Sequence, residues 1–261
     1  MILVHPLIDP IILSFGFVQI RWYSMAYILG FFIGLFLVKN INNNFSSSLK
    51  KKLIDDFFIW AVIGVIIGGR LGYTIFYQLE STINNPISVF YIWQGGMSFH
   101  GGLLGIIISI FIYSKFKRIK FFQLSDQISI VAPIGIFLGR LANFINVELY
   151  GRITEFPFAM IYPNIDNMPR HPSQIYEAFF EGIVLFIILN FLYKKSIYRP
   201  GITSSLFLIF YSIFRFTIEF LREPDAQIGL VYSNMTMGQI ISILTIMIGL
   251  ILIYFLKDVK K

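Results

Sequence analysis

The sequence predicts an all-α integral membrane protein: seven transmembrane helices, N-terminus outside, C-terminus cytoplasmic, and a small extracytoplasmic head segment at about 147–172. Three observations lead there. Hydrophobic side chains make up 56% of the 261 residues and charged ones only 13%, whereas about a quarter of an average soluble chain is charged. Apolar runs of about twenty residues, the length that crosses hydrocarbon, recur along the chain. Every lysine falls on one set of alternate segments between those runs, or, for Lys39, at the helix end that meets it. The chain therefore reads as one transmembrane domain, 1–261, with no separate soluble domain.

Taken in order, the apolar windows lie near 20–39, 57–77, 95–114, 124–146, 173–193, 201–221 and 237–256. The N-terminus, MILVHPLIDP, has neither a basic n-region nor a small-residue cleavage site, so the first apolar segment is expected to be retained. Segments 40–56, 115–123, 194–200 and the tail after 256, with Lys39 at a helix end, hold all twelve lysines plus Arg118 and Arg199. The positive-inside rule makes those segments cytoplasmic. The N-terminal arm, 78–94, 147–172 and 222–236 carry no lysine and face outward. Gly64, Gly68 and Gly72 repeat every four residues, which predicts a close helix-packing face rather than a phosphate loop. Pro133 removes a backbone donor, so a bend is expected below Arg140.

Seven basic residues remain outside the lysine-bearing segments: Arg21, Arg70, Arg140, Arg152, Arg170, Arg215 and Arg222. All are arginine, whose planar, permanently charged fork suits phosphate and carboxylate where water is scarce. For the exposed ones, pairing with Glu148, Glu155 or Glu223 is the lesser alternative. Arg70, Arg140 and Arg215 lie inside predicted spans, where an arginine near the bilayer centre costs roughly 2.5–3.5 kcal/mol. Counted from the outer helix ends, these three, His100 and Glu177 all fall roughly 6–10 Å deep at about 1.5 Å per residue. One polar layer at that depth predicts an outer-leaflet phospholipid held between helices. Arg140 and Asn143 share a helix face, as do Arg215, Glu219 and Arg222, and Gln174, Glu177 and Glu181. The Arg215–Glu219 spacing also fits an intrahelical ion pair that only stabilises packing. His100 follows the glycine-rich start Gly95-Gly96-Met97-Ser98-Phe99, where backbone amides can approach an anion. Its imidazole suits a general base, or a hydrogen-bonded structural role. Cysteine is absent, which excludes a disulfide frame, a thiolate metal site and a cysteine nucleophile in the chain.

Six stretches carry a family resemblance: RWYSMAY at 21–27, GGRLGYTIFY at 68–77, GGMSFHGGLLG at 95–105, GRLANFINVELYGR at 139–152, RHPSQIYEAFFEG at 170–182 and FRFTIEFLREPDAQ at 214–227. Together the sequence resembles the bacterial prolipoprotein diacylglyceryl transferases along nearly its whole length. Ala142 and Val147 depart from the commoner pattern, where glycine is expected, and put the local backbone approach in question. The resemblance implies that phosphatidylglycerol gives its diacylglyceryl group to the lipobox cysteine of a prolipoprotein, releasing glycerol 1-phosphate. It implies a multi-pass protein of the bacterial cytoplasmic membrane with its active site toward the outer leaflet. Carried over by position, Arg140 binds the lipid phosphate, Arg215 is a second clamp, and Asn143 and Glu148 order the lipid head. Arg70, Glu177, Glu219, Gly101 and Gly151 complete the expected lipid contacts. His100, Tyr23 and Glu219 stay open as acceptors of the thiol proton. Neither a metal, another cofactor nor a nucleic-acid partner is expected.

The main rival is a transporter or channel for an anionic or lipid substrate, since arginines in spans also line anion pathways. A conduction route needs polar groups through the full thickness, yet the inner halves are nearly uncharged apart from Asp126. A serine protease is weaker, because Ser98 and His100, two apart, point to opposed helix faces.

Overall fold

Helices occupy all seven apolar windows. The computed structural model describes residues 2–16, 18–44, 49, 51–91, 95–196, 199–224, 229–232 and 234–256. The expected cytoplasmic tail after 256, and parts of segments 40–56, 78–94, 194–200 and 222–236, lie outside the described residues. The long helices are α1 (Trp22–Asn44) and α2 (Lys51–Tyr77), followed by a short α3 (Leu79–Asn84), then α4 (Phe99–Lys117) and α5 (Phe121–Ile145). A further helix comprises α6 (Ser173–Glu177), a π-helical stretch over Ala178–Val184 and α7 (Leu185–Ser196); α8 (Ile202–Ile218) and α9 (Met237–Leu256) complete the set. Among the described residues six helices are long and apolar enough to cross a membrane, while Ile202–Ile218 is shorter.

Several helix ends differ from the hydropathy windows, for a physical reason. Lys51, Lys52, Asp55 and Asp56 begin α2 six residues before its predicted start, because a helix runs past the hydrocarbon boundary wherever polar residues can meet water. Conversely α4 begins at Phe99 rather than 95, since Gly95 and Gly96 take φ of +80° and +79°. Helix α5 continues unbroken through Pro133.

The all-α expectation also needs amending outside the spans, where backbone groups must find partners. Strands β1 (Leu3–Val4), β4 (Met160–Ile161) and β5 (Pro169–Arg170) form a three-stranded sheet in the order β1-β4-β5. Its β1–β4 pairing is parallel. Strands β2 (Ile11–Phe15) and β3 (Val18–Arg21) make a hairpin, as do β6 (Leu230–Tyr232) and β7 (Met235–Thr236).

The chain divides into two compact units, one of Met1–Gly34 with Ile128–Lys261, the other of Leu35–Gln127. In the second, α2 and α4 cross at glycine. A Cβ on Gly68 would fall 2.8 Å from the Gly105 Cα, and one on Gly72 2.8 Å from the Gly101 Cα. The predicted glycine stripe is thus a helix-packing face, where small residues admit close backbone approach. Ion pairs from Lys39 to Asp55, 2.8 Å, and Lys117 to Asp56, 3.4 Å, lie in the same unit. In the first unit, glycines again set close approaches. A Cβ on Gly182 would meet the Phe137 Cβ at 2.6 Å, and one on Gly249 the Ile209 Cγ1 at 2.7 Å.

Candidate functional site

Arg140 and Asn143 share the face of α5 just before its end. The helix closes with two reversed hydrogen bonds: the Glu148 N–H donates to the Asn143 carbonyl (3.0 Å) and the Val147 N–H to that of Phe144 (3.1 Å). Val147 takes the left-handed conformation, φ +58°, that this cap requires of its C′ residue. The turn folds Glu148 back over the helix end. Its Oε2 accepts hydrogen bonds from the Tyr23 hydroxyl of α1 (2.7 Å) and the Asn143 amide (3.2 Å), while Asn143 and Tyr23 are hydrogen-bonded to each other. Tyr23, Asn143 and Glu148 thereby form one polar triad.

One helical turn from Asn143, Arg140 enters a buried ion network. Its Nε and Nη2 donate to Glu181 Oε2 at 3.2 and 3.0 Å, and its Nη1 lies 3.2 Å from Glu177 Oε2. The opposite oxygen of Glu177 pairs with Arg215 of α8. Arg215 also pairs with Glu219 (2.6 Å), and Arg222 stands 3.9 Å from both Glu177 and Glu219. Glu177 and Glu181 have no side-chain exposure, Arg140 has 15% and Arg215 12%. Three guanidinium groups and three carboxylates thus balance in charge. Breaking one side of a buried pair costs about 3–5 kcal/mol, so each partner enforces the others. Glu219 is further held by the Thr236 hydroxyl (2.9 Å), and Gly238 leaves room for it, since a Cβ there would lie 2.8 Å from its carboxyl carbon.

The head segment is tied to the same helices. Ser173 Oγ donates to the Leu149 carbonyl (2.7 Å) and the Gln174 amide to that of Glu148 (2.6 Å), satisfying the loop after α5 from the start of α6. Arg170 donates to both Asp166 oxygens, to the Gly151 carbonyl and to Glu223, with the Tyr150 ring 5.0 Å from its guanidinium carbon. The Arg170 guanidinium holds the Asp166 carboxyl below its ordinary range. Gly151, expected to touch lipid, also has a packing reason to be glycine. A Cβ there would come within 2.6 Å of His171 Cβ and 2.8 Å of the Leu221 carbonyl.

Three expected lipid or catalytic residues belong to the other compact unit. Arg70, 4% exposed, donates to the carbonyls of Val89 (2.9 Å), Gly95 (2.6 Å), Gly96 (3.3 Å) and Ser88 (2.7 Å). Its fork fastens the carbonyls of Ser88, Val89, Gly95 and Gly96 to α2, a packing task beside the lipid contact expected of it. Gly101 is buried at the α2–α4 crossing, where a Cβ would lie 2.9 Å from Gly72 Cα. His100 is exposed on the first turn of α4, with the Phe99 ring 5.6 Å away, rather than five residues deep in a helix. Arg140, Arg215, Glu177 and Glu219 are brought together; so are Tyr23, Asn143 and Glu148. Two participants went unassigned: Glu181 and Arg222 were legible only as members of polar helix faces. For Glu181 the signal is an ionisable residue inside an apolar helix; Arg222 lies just past the end of α8 and carries no such mark.

A family model for prolipoprotein diacylglyceryl transferase matches residues 10–255. The chain belongs to this family. Among curated relatives, a phosphatidylglycerol--prolipoprotein diacylglyceryl transferase from Rickettsia felis is 50% identical over 250 residues, covering 95% of this chain and 96% of its own. Another of that name from Rickettsia conorii is 50% identical with the same coverage, and one from Rickettsia typhi 48% identical over 253 residues, 96% of this chain and 98% of its own. Family membership thus rests on nearly the full length, and both polar clusters lie inside the matched region.

Proposed function

We propose that this chain transfers the diacylglyceryl group of phosphatidylglycerol to the lipobox cysteine thiol of a prolipoprotein, forming a thioether and releasing glycerol 1-phosphate. The observation that carries the reading in this fold is the meeting of Arg140 and Arg215, from different helices, on opposite oxygens of the buried Glu177. Sulfur attacks the glycerol carbon, the C–O bond to phosphate breaks, and its electron pair stays on the phosphate oxygen. The growing charge needs preorganised cations in a dry site, which two fixed guanidinium groups supply. Arg140 and Arg215 hold the phosphate; Asn143 and Glu148 order the glycerol head.

The attacking thiol, ordinarily near pKa 8.5, must lose a proton. We assign the thiol proton to the Tyr23–Glu148 pair rather than to His100, because the exposed Glu148 carboxylate is held beside Asn143, in the triad that orders the lipid head. The lysine asymmetry supports seven spans, Ile202–Ile218 included, with the N-terminus outside and the chemistry toward the outer leaflet of the bacterial cytoplasmic membrane. The head segment 147–172 receives the prolipoprotein signal region.

The test uses purified protein, labelled phosphatidylglycerol and a lipobox peptide, with a Cys-to-Ser peptide as control. Thioether-linked lipid is expected from the native protein and none from Arg140→Gln, the two compared at equal amounts of folded, membrane-inserted protein. Normal turnover by that variant defeats the assignment of Arg140. Anion flux into proteoliposomes without lipid consumption favours the transporter.

A further inference from the structure

The six charges around Arg140 sum to zero before any lipid arrives. A phosphodiester is a permanent monoanion, so placing one between Arg140 and Arg215 leaves the buried network one negative charge in excess. Desolvated charge of that kind is relieved by protonation. The question is which carboxylate takes the proton, and the contacts of the three differ. Glu177 spans two arginines, and Glu219 keeps Arg215 and the Thr236 hydroxyl. Among the described residues Glu181 has one ion-pair partner, Arg140, and Arg215 acts on it only from beyond ion-pair distance. Both Arg140 bonds fall on Glu181 Oε2, and its Oε1 is a buried acceptor without a hydrogen-bond partner among the described residues; Glu177 Oε2 and Glu219 Oε2 share that lack, yet each has an arginine in ion-pair range, at 3.2 and 2.6 Å.

The surroundings of Glu181 offer no replacement. It sits in the π-helical stretch, pressed toward α5 by the close approach of Gly182 to Phe137. The charged and titratable groups that face it are Arg140 from α5, Arg215 and Tyr211 from α8, and Glu177 on its own helix. Once Arg140 turns its N–H groups to a phosphate, Glu181 loses its one ion pair and retains a bare oxygen in a site that excludes water.

We infer that docking of an anionic phospholipid at Arg140 is coupled to uptake of one proton by Glu181. The inference rests on the phosphatidylglycerol reading of the site. The proton comes from solvent, converts the Glu181 carboxylate to the acid, and restores a neutral network around the bound phosphate. The acid form also supplies an O–H that the ionised form lacks.

The experiment is calorimetric titration of dioctanoyl phosphatidylglycerol into the detergent-solubilised full chain at pH 7, in two buffers of different ionisation enthalpy. The difference in heat counts protons exchanged per lipid bound. About one proton is expected for the native protein and about zero for Glu181→Gln, whose amide keeps the side-chain volume. Equivalently, native affinity falls up to about tenfold per pH unit above neutrality, and the variant's dependence is flatter. Lipid binding to native protein without proton uptake overturns the inference and leaves the phosphatidylglycerol site standing. Undiminished uptake in Glu181→Gln moves the proton to another group and overturns the assignment. No lipid binding by the native protein removes the reading and the inference together.

Discussion

Arg70 and Arg140 are the same residue type in the same kind of apolar helix, yet their partners give them different tasks. Four neutral carbonyls occupy Arg70. Arg140 faces carboxylates that a competing anion can displace. Sequence reading marked both as costly inside a membrane, and only the partners separate a loop fastener from a ligand group. The same distinction bears on the thiol proton. Tyr23 touches Asn143 and Glu148, whereas His100 is exposed in a different compact unit. Tyr23→Phe should lower kcat by about a hundredfold, the low end for loss of acid–base assistance, while His100→Asn leaves it nearly unchanged. Measured rates in the opposite order return the base to His100.

At the scale of elements, the ends of α5 and α6 matter more than their lengths. The α5 cap demands a left-handed residue where the chain has Val147, a β-branched side chain at φ +58°. The commoner glycine noted at this position is therefore the unstrained choice. Relief of the left-handed penalty is worth about 1–2 kcal/mol, against about 0.5–1 kcal/mol of extra chain entropy for glycine. Val147→Gly should stabilise the protein by roughly 0.5–1 kcal/mol, seen as a rise in thermal midpoint of about 1–4 °C. A fall in the midpoint shows that Val147 packing outweighs the strain. The π-helical stretch was not legible, because it leaves the apolar pattern intact and changes only which carbonyl each N–H reaches.

At the scale of the molecule, the N-terminal arm is built into the end of the first unit that carries the head segment. Strand β1 pairs with β4, and His5, 2% exposed, sits 3.0 Å by its Nε2 from the Phe144 carbonyl. Its Nδ1 accepts the Leu7 N–H (3.1 Å), so the neutral ring uses both nitrogens and Nε2 is the donor. Burial pushes the His5 and His171 imidazoles below the ordinary 6.5. The unfolded chain then binds the extra protons first, so this contribution is complete above about pH 6.5 and is lost as acid takes the pH down through the folded values. Thermal midpoints should fall between pH 7 and pH 5, and His5→Gln should shrink that fall. An unchanged acid dependence in His5→Gln places the sensitivity elsewhere.

The sequence by itself determined that the chain lives in a membrane, roughly where its helices run, and which arginines must find compensating partners. Those properties are additive along the chain: hydropathy, lysine placement and the cost of a buried ion depend on local composition. Only the tertiary structure decided which charges meet. That choice depends on side chains distant in sequence, such as Tyr23 with Glu148 or Arg140 with Glu177. A glycine contact, a helix cap or a π-turn can change it without altering a hydropathy window.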